Sequence, residues 1–487
     1  MKTVVEEIFA RASEFPEKIA ITNGKHALTY RELAESVVQA RNLLCDSYGI
    51  AAGDAVVLAA DKQPAFVSLY FACHLLGAHV LPLAPDTNPV HLGFICKACA
   101  PKLFIGIHTP AFYQGREVSL QAFERLATDA VLTENLAFPD MDDVADILFT
   151  TGTTGLPKGV LLTHRNLAAA ARNIHAFVRN DVDDVEMLAL PVSHSFGLKR
   201  MTCALVNGQA LVLLGSFANM KRFYRFMETY HVNGFGMVPA AWAMIRRMSG
   251  QKLGAYASQL HYIEIGSAPM PMADKQELIK LLPDTRICMH YGLTEASRST
   301  FLEFHKDIEH LETIGRATPN VTVEIRDDSG KRVADGIPGE LCVFGDVVAM
   351  RYLASDEENK HSHWGEFFRT GDIGIREDGG WIQLIGRAKE IINVGGKKVS
   401  PVEIEQELMR LPEIRDCACL AVQDPQGILG EVVKAFVVLE DNASMKPKEW
   451  TQRLAGRLEN YKIPAMYESI DAIPKTYSGK VQRLALR

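Results

Sequence analysis

Short apolar runs alternate with helical patterns through about the first 300 residues, and this rhythm limits the fold more than any other feature of the chain. The runs lie at 55–60, 80–83, 103–107, 187–190, 210–214, 262–265 and 287–289, and helical patterns such as 167–178 and 220–230 separate them. Runs of this length flanked by amphipathic helices predict α/β layers with mostly parallel sheets. Beyond about residue 310 the texture changes to short strands and turns, at 321–326 and 340–344 with Asp327-Asp328-Ser329-Gly330 between them, which predicts a small β subdomain. A second boundary falls at Gly386-Arg387-Ala388-Lys389. After it, Ser400 is placed as an N-cap, Pro401 as the first helical residue and Glu403 as the partner in a capping box. Strand patterns at 417–422 and 432–439 and a helix at 448–460 follow, enough for a small α+β domain. The expected organisation is a large N-terminal domain of several subdomains over 1–386, with mixed and parallel sheets and the β subdomain, and a C-terminal α+β domain over 387–487.

Composition removes several functions. Of 487 residues, 59 are acidic and 52 are Lys or Arg, a net charge of −7 that disfavours a nucleic-acid partner. No apolar run reaches the ~18 residues a membrane span needs. The nine cysteines are an odd number with no secretory signal, so a reducing, cytoplasmic setting is expected. Cys96 and Cys99 lack a second ligand pair, which argues against zinc.

Residues 150–159 read Thr-Thr-Gly-Thr-Thr-Gly-Leu-Pro-Lys-Gly, between the apolar runs 147–149 and 160–162. Glycines admit close backbone N–H groups, hydroxyls add donors and lysine adds charge, a combination suited to polyphosphate. Lys158 is followed by Gly159 and then by a strand pattern, so the loop is not a Walker A motif. Three further clusters carry chemistry. Tyr291-Gly292-Leu293-Thr294-Glu295 follows a strand and offers an aromatic, a hydroxyl and a carboxylate fit for Mg²⁺. Arg369-Thr370-Gly371-Asp372 offers an acid that can chelate ribose. Ser478-Gly479-Lys480 puts a lysine on a glycine-preceded tip.

Together with Gly386-Arg387, these clusters resemble, in order and over nearly the whole chain, the adenylate-forming superfamily of acyl-CoA synthetases, 4-coumarate-CoA ligases, luciferases and peptide-synthetase adenylation domains. The resemblance implies that a small-molecule carboxylic acid reacts with ATP to give acyl-AMP and pyrophosphate, and that the acyl group then passes to the thiol of coenzyme A. It implies a β/γ-phosphate loop of Thr150, Thr151, Gly152, Thr153, Thr154, Gly155 and Lys158. Glu295 takes the Mg²⁺ position, Thr294 the α-phosphate position, Tyr291 with Ser267 and Ala268 the adenine site, and Asp372 with Arg387 the ribose site. Lys480 matches the lysine that bridges carboxylate and α-phosphate, on a mobile C-terminal domain with its hinge at Lys389. Gly395 and Gly396 match the coenzyme A tunnel. A monomer or homodimer is expected. The alternatives are an enzyme that loads an acyl carrier protein, a non-catalytic nucleotide or acyl sensor, and a luciferase-like oxidation that no residue demands.

By the same motifs the acyl pocket draws on 193–200, 235–239, 265–267 and 296–301. His194 falls near the carboxylate, and Gly266 lies on the pocket wall. The segment 191–197 lacks the acid that would hold an amino group, which argues against amino acids. Arg200 and Arg298 map to the distal end. Each needs a partner if buried, either a nearby Glu or Asp or a polar group on the acid; if they face away, a medium-chain fatty or aryl acid is favoured.

Overall fold

The computed structural model describes residues 2–123, 136–151, 157–476 and 479–486. Two sheets carry the larger part of the chain. In the first, Arg286–Tyr291, Tyr262–Ile265, Gly234–Met237, Val185–Leu188, Ala210–Leu213 and Ile19–Thr22 run parallel side by side, with short antiparallel strands at the edges. In the second, Leu103–Ile105, Ala55–Ala59, His79–Leu83 and Val144–Thr151 are parallel, and Pro157–Thr163 returns antiparallel beside the last of them. Every residue of Ala55–Ala59 is buried, as expected for a parallel strand covered on both faces. The helix Pro64–Leu76 is apolar all round and buried from Ala65 to Leu75, so it forms core rather than surface.

Local chemistry sets where the helices begin. Thr29 and Glu32 form a reciprocal capping box at the start of Tyr30–Tyr48, and Thr163 and Asn166 do the same for His164–Val178. The β subdomain holds Thr322–Arg326, Gly339–Phe344, Phe367–Arg376 and Ile382–Arg387 in one antiparallel sheet. Arg387 ends its last strand, and a separate core then begins at Ile392 and includes Ile404, Val437 and Trp450. Ser400 caps the helix Pro401–Leu408 as the sequence implies, but the Glu403 carboxylate turns outward to Lys462 Nζ (2.7 Å) instead of closing a capping box. The helix expected over 448–460 runs from Pro447 to Ala455 and is followed by a turn. No helix among the described residues is long and apolar enough to cross a membrane.

Candidate active site

Four adjacent parallel strands end on the same side of the first sheet, and each releases a predicted site segment there. Val185–Leu188 leads to His194, Gly234–Met237 to Val238 and Pro239, Tyr262–Ile265 to Gly266, Ser267 and Ala268, and Arg286–Tyr291 to Thr294 and Glu295. The carboxyl ends of parallel strands are where α/β sheets bind ligands. Ser267 holds a left-handed φ of 73°, a conformation non-glycine residues rarely adopt.

The ribose pair is assembled by the β subdomain. Asp372 and Arg387 face each other across two paired strands, with Arg387 Nε 2.8 Å from Asp372 Oδ1. Tyr291 donates its hydroxyl to Asp372 Oδ2 at 2.5 Å, which ties the ring meant for adenine to the acid meant for ribose. Burial lifts the Asp372 carboxyl above its usual range, against the pull of Arg387 and Tyr291. Glu295 Oε1 accepts the Tyr352 hydroxyl at 2.9 Å. Among the described residues no group of three or more His, Cys, Asp or Glu side chains is arranged to hold a metal ion. Mg²⁺ bound by one carboxylate and substrate phosphates needs no such group, so Glu295 fits it.

A C-terminal segment and the middle of the chain meet at this crevice. A Cβ placed on Gly479 would lie 3.7 Å from Ala240 Cβ and 4.0 Å from Ala268 Cβ, so the Lys480 tip rests on the strand ends. Crowding by protein and by Arg387 lowers the Lys480 pKa, while Asp372 and Glu295 oppose the shift. His194 caps the helix Ser195–Val206 without a side-chain capping bond, and desolvation followed by Lys480 lowers its pKa, which favours the neutral ring. Both residues stay solvent-accessible, and the Lys480 charge reaches His194.

The phosphate loop is described only at its rims. Thr150 and Thr151 end Val144–Thr151, and Lys158 lies in Pro157–Thr163, where it pairs with Glu358. Gly152, Thr153, Thr154 and Gly155 lie outside the described residues. Lys389 is exposed just past the last β-subdomain strand. Gly395 and Gly396 make the turn of the hairpin Ile392–Val394 and Lys397–Val399 with φ of 56° and 85°.

The two arginines expected at the distal end of the acyl pocket lie instead in a buried ion-pair cluster. Arg200, 0% exposed, donates to Glu186 through Nε (2.7 Å) and Nη2, and to Glu264 through Nη1 (3.0 Å). Arg298 donates through Nε to Glu264 Oε1 (3.1 Å) and through Nη2 to the Phe196 carbonyl (3.3 Å). His290 Nδ1 stands 2.7 Å from Glu264 Oε1. The His290 ring also explains Gly266, where a Cβ would come within 2.1 Å of it. Burial alone would raise Glu264, but Arg298, His290 and Arg200 outweigh it and hold the carboxyl well below its usual range. The partners were readable: Glu186 and Glu264 are acids inside buried strands, and such acids require cations. Tyr352 was missed: it is 57 positions from the carboxylate it meets, and no local pattern marks it.

The AMP-binding enzyme model matches residues 8–353, and the AMP-binding enzyme C-terminal domain matches residues 403–480. The chain therefore belongs to the AMP-binding enzyme family, the adenylate-forming enzymes. It is 30% identical over 495 residues to a feruloyl-CoA synthase of Amycolatopsis sp, covering 98% of this chain and 97% of that one. It is 28% identical over 512 residues to the medium-chain fatty-acid–CoA ligase of Escherichia coli (strain K12), covering 98% and 88%. A plipastatin synthase polypeptide of Bacillus subtilis (strain 168) matches at 26% over 500 residues, and there this chain spans only 19% of the relative's length. The ATP-bound RpMatB-BxBclM chimera B1 has the same mixed α/β fold, with a TM-score of 0.89 at 25% identity over 100% of this chain and 98% of that one. The reaction class is that of an AMP-forming acid–CoA ligase, in which ATP activates a carboxylic acid as acyl-AMP and coenzyme A takes the acyl group.

Proposed function

We propose that adenylation takes place in the crevice at the carboxyl ends of the parallel strands, with Lys480 as the cation that orients the attacking carboxylate. The observation that carries this reading is the convergence of Lys480, from the far end of the chain, with Glu295, Asp372 and Arg387. The chemical obstacle is an anionic carboxylate approaching an anionic α-phosphate, and fixed positive charge lowers it. Lys480 sits on the acid side of that encounter and Thr294 on the phosphate side. Thr150 to Gly155 and Lys158 grip the β- and γ-phosphates as pyrophosphate leaves; Lys158 exchanges Glu358 for phosphate to do so. Mg²⁺, when bound by Glu295, supplies charge neutralisation on those phosphates. Asp372 and Arg387 hold the ribose, Tyr291 with Ser267 and Ala268 frames the adenine, and neutral His194 lies beside the acid.

For thiol transfer, rotation about Lys389 withdraws Lys480 and brings the Gly395–Gly396 turn to the crevice, where glycine lets the thiol arm pass close to backbone. A domain boundary at 386/387 suits that motion, since the sheet ends at Arg387 and a separate core starts at Ile392. Nine free cysteines suit a reducing compartment with ATP at hand, the cytoplasm. The test is pyrophosphate release over a broad panel of carboxylic acids, with and without coenzyme A. Release that requires an acid, with thioester formed only when coenzyme A is present, is the expected result. A thioester formed only on an acyl carrier protein replaces the acceptor in this reading, and release independent of any acid overturns it.

A further inference from the structure

One buried cation beside the crevice has no contacting partner among the described residues. Lys199 is 1% exposed, and its Nζ has no hydrogen-bond partner among the described residues. Its neighbours leave it none. Arg200 and Arg298 are balanced by Glu186 and Glu264, two cations against two anions. The charged groups within electrostatic reach of the Lys199 ammonium are Arg298, which repels it, and Asp146 and Glu295, which attract it. Asp146 already accepts from Tyr70 Oη (2.9 Å) and pairs with His74 Nε2 (2.9 Å). Burying an ammonium without a contacting partner costs several kcal/mol, and no ion pair joins Lys199 to Asp146 or Glu295, so the side chain calls for an anion in direct contact.

The direction of the side chain says where that anion comes from. Lys199 lies in the helix Ser195–Val206, which starts at the crevice just after His194. Helical side chains lean toward the N-terminus, and the N-terminus of this helix is the end that adjoins His194. Glu295 is within electrostatic reach of both Lys199 and Lys480.

We propose that Lys199 is a specificity-determining residue whose ammonium receives a second carboxylate carried by the acid, so that the preferred substrates are dicarboxylic acids. The inference rests on the crevice being the site of adenylation. It moves the role of distal cation from Arg200 and Arg298, whose charge is spent on protein carboxylates, to the residue beside them. Burial, and then Arg298, lower the ligand-free Lys199 pKa to about 7. A bound carboxylate keeps the proton on, so affinity for a diacid is full below about pH 7 and falls as pH rises above it.

The experiment compares pyrophosphate release by the wild type, Lys199→Met and Lys199→Arg on short α,ω-dicarboxylic acids, each paired with its monomethyl ester, after thermal melts confirm folding. The wild type should favour the diacid. Lys199→Met should reduce the diacid-to-ester ratio of kcat/KM roughly 100-fold, mainly through KM, as loss of a buried charge partner does. Lys199→Arg, which keeps the charge, should retain most of the preference. The wild-type KM for the diacid should climb above about pH 7 while that for the ester stays level. A wild type that prefers the esters, or a ratio unchanged in Lys199→Met, overturns the proposal and leaves the ligase reading standing. Absence of release with all of these compounds overturns this inference as well, while the broad acid panel tests the ligase reading separately.

Discussion

Two charged regions lie on either side of the same strand ends, and they differ in how their charges are satisfied. Below, Arg200, Arg298, Glu186 and Glu264 are sealed from solvent and bonded to one another. Above, Lys480 and His194 remain accessible, and Lys480 lies within electrostatic reach of Asp372, Arg387 and Glu295. Equal charge therefore does unequal work. Saturated charge fixes the relative positions of the strands and the helix Ser195–Val206, and unsaturated charge is left for chemistry. Lys199 belongs to the lower region by burial and to the upper one by its missing partner.

The contrast can be broken most forcefully from below. Glu264→Ala leaves Arg298 and part of Arg200 buried without a counter-charge, and removing one partner of a buried pair costs about 3–5 kcal/mol. A thermal or denaturant melt should show that loss, and a change under ~0.5 kcal/mol would mean that the cluster is not structural. The same carboxylate gives a pH signature. Its folded pKa is depressed, so its contribution is present at neutral pH and above the ordinary carboxylate range, and it is lost as pH falls through the folded value. Glu264→Gln should accordingly flatten the acid limb of the stability profile.

A smaller effect is expected from above. Tyr352→Phe removes the hydroxyl that holds Glu295 and leaves the carboxylate in place. A hydrogen bond to a charged group contributes roughly 1.5–3 kcal/mol, so the Mg²⁺ concentration for half-maximal rate should rise about tenfold or somewhat more, with little change in melting temperature. A large fall in melting temperature would move Tyr352 into the structural region.

What could be read from the sequence follows the same division. The functional clusters were legible because each is short and follows a strand, so residues such as Thr294 and Glu295, or Thr370 and Asp372, announce themselves together. The alternation of apolar runs likewise implied the parallel strands, to within a few residues at their ends. The buried cluster was not legible as a cluster. Glu186 and Glu264 are 14 and 64 positions from Arg200, and only the sheet brings them together. Lys199 fell inside the expected pocket segment 193–200 but was given no role of its own, because nothing local shows that its ammonium is buried without a partner.

The central claim is that Lys480 acts in the first half-reaction and leaves the second to other residues. Lys480→Ala, assayed separately for acyl-AMP formation and for conversion of preformed acyl-AMP with coenzyme A, tests it most directly. The expected result is a loss of about 10²–10³-fold in adenylation, the size seen when one charge-stabilising group is removed, with thioester formation near the wild-type rate. Equal losses in both half-reactions would contradict it.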